Sequence, residues 1–119
     1  MSSKVLTIDL NNKAEYQRLL GGREKEPHTF GICAGRVYLK PDESCGQHST
    51  GNREEILVFL SGTGVLLIDE KESLPIGEGK VSYIPPNMVH NIKNNGPRPL
   101  IYIYCVAGVN DQSVQKGQT

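Results

Sequence analysis

From Phe30 onward the chain alternates short apolar segments with clusters of glycine, proline, asparagine and aspartate, and that punctuation leaves few folds open. The segments are Ile32 to Leu39, Glu55 to Leu60, Val65 to Ile68, Lys80 to Ile84, Val89 to Lys93 and Leu100 to Val106. β-Branched residues and tyrosines dominate several of them, which suits a pleated, half-buried surface. Pro41-Asp42, Ser61-Gly62-Thr63-Gly64, Gly77-Glu78-Gly79 and Asn94-Asn95-Gly96-Pro97 supply the turn chemistry between them. Many short strands with almost no helix predict an all-β sandwich or barrel.

The first part of the chain has a different pattern. Leu6, Ile8 and Leu10 alternate with Val5, Thr7 and Asp9, which predicts a strand over Val5 to Leu10. Asn11 or Asn12 can cap a following two-turn helix carrying Ala14, Tyr16, Leu19 and Leu20, and Gly21-Gly22 would stop it. The expected organisation is therefore an N-terminal strand and short helix over 1–22 packing on a barrel over 23–110. Residues 111–119 are polar, with Val114 the only large apolar residue, and are expected to form a disordered tail.

Charge narrows the partners. Lysine plus arginine and aspartate plus glutamate number 13 each, so no net electrostatic footprint points to nucleic acid or an anionic membrane. The longest apolar run, Leu100 to Ala107, is far too short to span a bilayer, and Met1 to Leu10 lacks a signal-peptide core. Cys33, Cys45 and Cys105 are an odd set without paired spacing, which suits free thiols in a reducing compartment. The expectation is a cytoplasmic protein.

Three histidines are present, His28, His48 and His90. His48 precedes the turn Gly51-Asn52-Arg53, whose neighbours can be presented at a pocket mouth. Glu54-Glu55 then open an apolar strand, and His90 stands in another strand-like segment. Two imidazoles and one carboxylate are what a mononuclear metal site needs. Alternation groups Glu55 with Leu57 and Phe59, His90 with Ile92 and Asn94, and His48 with Thr50, a parity that allows an inward cluster. Cys45, three residues before His48, reads as an ordinary thiol, and His28 as structural or surface. Tyr38, Tyr83, Tyr102 and Tyr104 are candidates to line the barrel. Arg36 shares a strand face with Tyr38 and is expected at the surface; the alternative is a pocket arginine that binds a carboxylate or phosphate bidentately.

The stretch Pro41 to Gly62 resembles the first cupin motif. His48 matches its first histidine, Glu55 its glutamate and Gly62 its closing glycine. Gly79 to Asn94 resembles the second, with Gly79, Pro85, His90 and Asn94 at the family's spacing. Three positions depart: Asp42 and Asn87 stand where the motifs carry glycine, and Thr50 where the first motif carries its second histidine. Aspartate and asparagine both tolerate left-handed turn positions. Thr50 removes one of the family's four usual protein ligands.

The resemblance implies a cupin jelly-roll β-barrel holding one divalent metal ion, with zinc, iron, manganese and nickel all compatible, on His48, Glu55 and His90. Three ligands leave open coordination positions for water or substrate; the alternative is a site too weak to hold an ion. Glu55 and His90 are the candidate catalytic groups, and Thr50, Asn94, Tyr102 and Tyr104 the candidate neighbours. A small-molecule ligand and a homodimer, the N-terminal strand crossing to the partner, are implied. Among small cupins an isomerase or lyase acting on a sugar or sugar acid fits the hydrogen-bonding lining; the alternatives are a non-heme iron dioxygenase and a non-catalytic ligand sensor.

Overall fold

A computed structural model describes residues 4–11 and 13–109. Its elements are β1 (Tyr16–Gly21), β2 (Ile32–Leu39), β3 (Arg53–Ser61), β4 (Thr63–Ile68), β5 (Glu72–Gly77), β6 (Val81–Ile84), β7 (His90–Lys93) and β8 (Leu100–Gly108). Every neighbouring pair is antiparallel, in a five-stranded sheet of order β1-β2-β8-β3-β6 and a three-stranded sheet of order β5-β4-β7. Residues 42–48 extend the small sheet irregularly along β7, through single bridges Ser44 to Lys93 and His48 to His90.

The two sheets close on a core that both supply. Leu39, Leu57, Phe59, Ile84, Leu100 and Tyr102 come from the large sheet, and Leu66, Ile76 and Ile92 from the small one. In β3 the inward parity is Glu55, Leu57 and Phe59, all buried, as the alternation predicts. The opposite parity carries Ile56, Val58 and Leu60 to the outer face. That face stays unusually apolar: Val81 is 61% and Tyr83 59% exposed, beside the exposed Ile56 and Leu60.

The turns explain the two departures at glycine positions. Asp42 has φ 72° and Asn87 φ 60°, the left-handed region that aspartate and asparagine enter most cheaply after glycine. Gly62, also left-handed at φ 86°, has a second constraint: a Cβ there would stand 2.2 Å from the Pro99 carbonyl oxygen.

The N-terminal expectations are corrected. Residues 4–11 form no strand, and no helix follows; Tyr16 to Gly21 is instead strand β1, paired with β2 from Tyr16–Val37 to Gly21–Cys33. A two-turn helix is marginal in water, whereas the free edge of β2 offers a ladder of backbone hydrogen bonds. The Tyr16 hydroxyl also shares a 2.5 Å hydrogen bond with that of Tyr104. Strand β5 escaped the sequence pattern because it has no clean apolar alternation and contains Pro75, which is tolerated on a sheet edge. Arg36 is not at the surface. It is 0% exposed, donates through Nη2 to the Ala14 carbonyl, and its Nε and Nη1 have no hydrogen-bond partner among the described residues. The tail expected over 111–119 lies outside the described residues.

Candidate metal centre

Three elements bring the trio together. Glu55 projects from β3, His90 begins β7, and His48 lies on the irregular segment that β7 holds. The backbones of His48 and His90 exchange both hydrogen bonds at 2.9 Å, which fixes the imidazoles side by side with ring centroids 4.4 Å apart. The candidate ligand atoms of His48, Glu55 and His90 all lie within 4.8 Å of one another. Glu55 and His90 are 6% and 1% exposed, while His48 is open to solvent.

The backbone selects the tautomers. Nδ1 of His48 lies 2.8 Å from the Gly46 carbonyl oxygen, and Nδ1 of His90 lies 2.9 Å from that of Met88. A carbonyl only accepts, so both Nδ1 atoms carry hydrogen and both Nε2 atoms are left for the third partner. This is how ligand histidines are oriented for a metal. His90 Nε2 stands 2.9 Å from Glu55 Oε1. With Nδ1 already donating, that contact needs one shared proton. Burial opposes a charged imidazole here, but the hydrogen bonds to Glu55 and Met88 outweigh it and raise the His90 pKa.

These donors fit a divalent ion. Two neutral imidazole nitrogens and a carboxylate are an open three-ligand set. His48, Glu55 and His90 would hold it. The ion would polarise a carbonyl or hydroxyl oxygen of a bound molecule.

His48 and Glu55 line a pocket of about 330 Å³ together with Cys33, Thr50, Arg53, Tyr102 and Tyr104. The Thr50 hydroxyl donates to the Arg53 carbonyl at 2.8 Å, so it braces its own turn. Burial holds the hydroxyls of Tyr102 and Tyr104 protonated well above the usual tyrosine range. They are hydrogen-bonding groups, not bases. Asn94 does not join the others. It is fully buried, and its amide donates to the Leu39 and Arg98 carbonyls and accepts from Gly96 N. Tyr83 is on the outer face, donating to Glu54 at 2.8 Å. Cys45 lines the pocket with its thiol accepting from Ile92 N; His28 sits in a separate groove with Lys4 and Leu6. The residue that sequence reasoning passed over is Arg53. Its signal was its parity, two residues before Glu55 on the inward face of β3.

A family model for the cupin domain matches residues 35–106. The chain belongs to the cupin family. The eight strands of the described residues form the family's jelly roll, and the structure superposes on a cupin protein from Bacteroides fragilis with TM-score 0.74 at 20% identity, over 89% of this chain and 86% of that one. A putative sugar phosphate isomerase from Acidithiobacillus ferrooxidans gives TM-score 0.59 at 23% identity, over 67% of this cupin and 52% of that chain. By sequence, the cupin is similar to the glucose-6-phosphate isomerase of Thermococcus kodakarensis, 35% identical over 78 residues. That match covers 62% of this chain and only 36% of the relative. No helix among the described residues is long and apolar enough to cross a membrane.

Proposed function

We propose that this cupin is a divalent-metal-dependent isomerase acting on a sugar or sugar acid bound in the barrel pocket, working in a reducing compartment as a homodimer. One observation carries the catalytic reading: two imidazoles whose free Nε2 atoms are selected by backbone carbonyls, meeting a buried carboxylate at an open pocket. The likeness to isomerases of phosphorylated sugars supports the reaction class.

Aldose–ketose isomerisation moves a proton between neighbouring carbons and needs a base facing the substrate. Glu55 is the only carboxylate lining the pocket among the described residues, and serves as ligand through one oxygen and proton acceptor through the other. Tyr102 and Tyr104 donate hydrogen bonds that orient substrate hydroxyls. The donor set itself supports a second reading, a non-heme iron dioxygenase. The test is chelator-treated protein reloaded with zinc, manganese, nickel or ferrous iron. The metal-loaded protein should interconvert glucose and fructose, or their 6-phosphates, and Glu55→Gln should abolish it. Oxygen consumption with iron alone would favour the dioxygenase, and no turnover with any metal would sink both.

The homodimer reading rests on the outer face of the large sheet. Ile56, Val58, Val81, Tyr83, Ile101 and Ile103 share that face, with Glu54 bonded to Tyr83 and the buried Arg36 beside Ile103, and a second copy of the same apolar patch is its complement.

A further inference from the structure

The inward face of β3 begins at Arg53, one step outside the metal ligand. Arg53 and Glu55 share the face, so their Cα atoms are about 7 Å apart along the strand. Arg53 pairs across the ladder with Gly108, where an added Cβ would meet nothing within 4 Å, so its cross-strand neighbour leaves the space beside the side chain open. The turn that carries it is held on three sides. Thr50 bonds Arg53 through both backbone and hydroxyl, Asn87 N donates to the Gly51 carbonyl at 2.7 Å, and Val109 N donates to that of Asn52 at 3.1 Å.

Arg53 also lines a second, outer cavity of about 580 Å³, which shares Cys33 with the pocket and adds Arg23 and Glu24. Nε of Arg23 donates to the Phe30 carbonyl at 2.7 Å, which orients its guanidinium and leaves the Nη groups for another acceptor. Among the described residues no carboxylate lies within ion-pair distance of either arginine, and Glu24 forms no ion pair there. A pocket lined by His48, Glu55 and the unpaired Arg53, with Arg53 shared by an outer cavity that Arg23 also lines, suits a molecule with oxygen functions at one end and an oxyanion at the other.

We infer that Arg53, assisted by Arg23, binds the anionic group of the substrate at the pocket mouth, so that the ligand is a phosphorylated or carboxylated sugar and not a neutral one. This deepens the isomerase reading and rests on it for the sugar, but the oxyanion site stands on its own residues.

The test is calorimetric titration of zinc-loaded and chelator-treated protein with inorganic phosphate, glucose 6-phosphate, gluconate and glucose. Chelator-treated wild type should bind glucose 6-phosphate or gluconate at least ~10-fold more tightly than glucose. Arg53→Gln should remove that preference, Arg23→Gln should reduce it about threefold, and Arg53→Lys should restore part of it. Zinc affinity should be unchanged in all three variants, which shows that they fold. Preference for phosphate assigns a phosphorylated ligand, and preference for gluconate a carboxylated one. The proposal is overturned if wild type prefers neither anion, or if Arg53→Gln binds them as wild type does. Anion binding through Arg53 without any isomerisation would leave this site standing and remove the isomerase. Isomerisation with an unchanged KM in Arg53→Gln would do the reverse.

Discussion

The two ends of strand β3 obey one alternation and do opposite things. At one end Leu57 and Phe59 point inward and are sealed against Leu66, Ile92, Leu100 and Tyr102. At the other Arg53 and Glu55 point inward on the same face and meet a pocket. The backbone is continuous and the parity unbroken. The difference is side-chain chemistry and what the facing sheet offers: apolar Leu66 and Ile92 opposite the closed end, His48 and His90 opposite the open one. A jelly roll thus places a reactive cluster and a packed core within a few residues of each other, and the core holds the cluster's geometry.

The comparison breaks first at the closed end. Leu57→Ala should cost about 3 kcal/mol of unfolding free energy, because the site is fully enclosed and cannot collapse easily; chemical denaturation measures it. Above the raised His90 pKa, Glu55→Gln at the open end should leave the unfolding midpoint nearly unchanged yet weaken divalent-metal binding by more than about 100-fold, since loss of an outer partner alone costs up to that much. If the two substitutions had the same profile, the division into core end and site end would fail.

pH sharpens the contrast in both directions. The raised His90 pKa means that the shared proton stabilises the metal-free fold fully below the unfolded histidine value. That contribution is lost as pH rises through the raised folded value. Metal needs the proton gone, so metal affinity should instead rise with pH, about tenfold per unit below the raised value. Thermal melts across pH with and without zinc should therefore diverge.

Smaller effects test the outer face and the turns. Val81→Lys with Tyr83→Lys should convert a dimer to a monomer in sedimentation while changing monomer stability by no more than about 0.5 kcal/mol per site. A wild-type monomer at high concentration would remove the dimer. Asn87→Gly should be neutral to within about 0.5 kcal/mol, whereas Asn87→Val should cost more than ~1 kcal/mol, since a β-branched side chain is a poor fit to φ 60°.

Much of the open end was legible in the sequence because motif spacing reports which side chains converge. His48, Glu55 and His90 meet as their positions implied, and Asp42 and Asn87 take the left-handed turns that their chemistry permits. Burial was harder to read. Asn94 shares the parity of His90, yet its amide is consumed by the Leu39 and Arg98 carbonyls. Arg36 looked like a surface cation and is buried, because the Ala14 carbonyl draws the segment before β1 over it. The edge strands misled most. Apolar spacing at Tyr16, Leu19 and Leu20 fits a helix as well as a strand, and only the free edge of β2 decides between them.

The central claim is that His48, Glu55 and His90 form one metal centre. Calorimetric titration of chelator-treated protein with zinc tests it most directly, in wild type and in His48→Ala, Glu55→Gln and His90→Ala. The account predicts one equivalent of zinc per chain in wild type, release of a proton on binding, and loss of binding in each variant. Zinc binding that survives Glu55→Gln, or that is absent from the folded wild type, would contradict it.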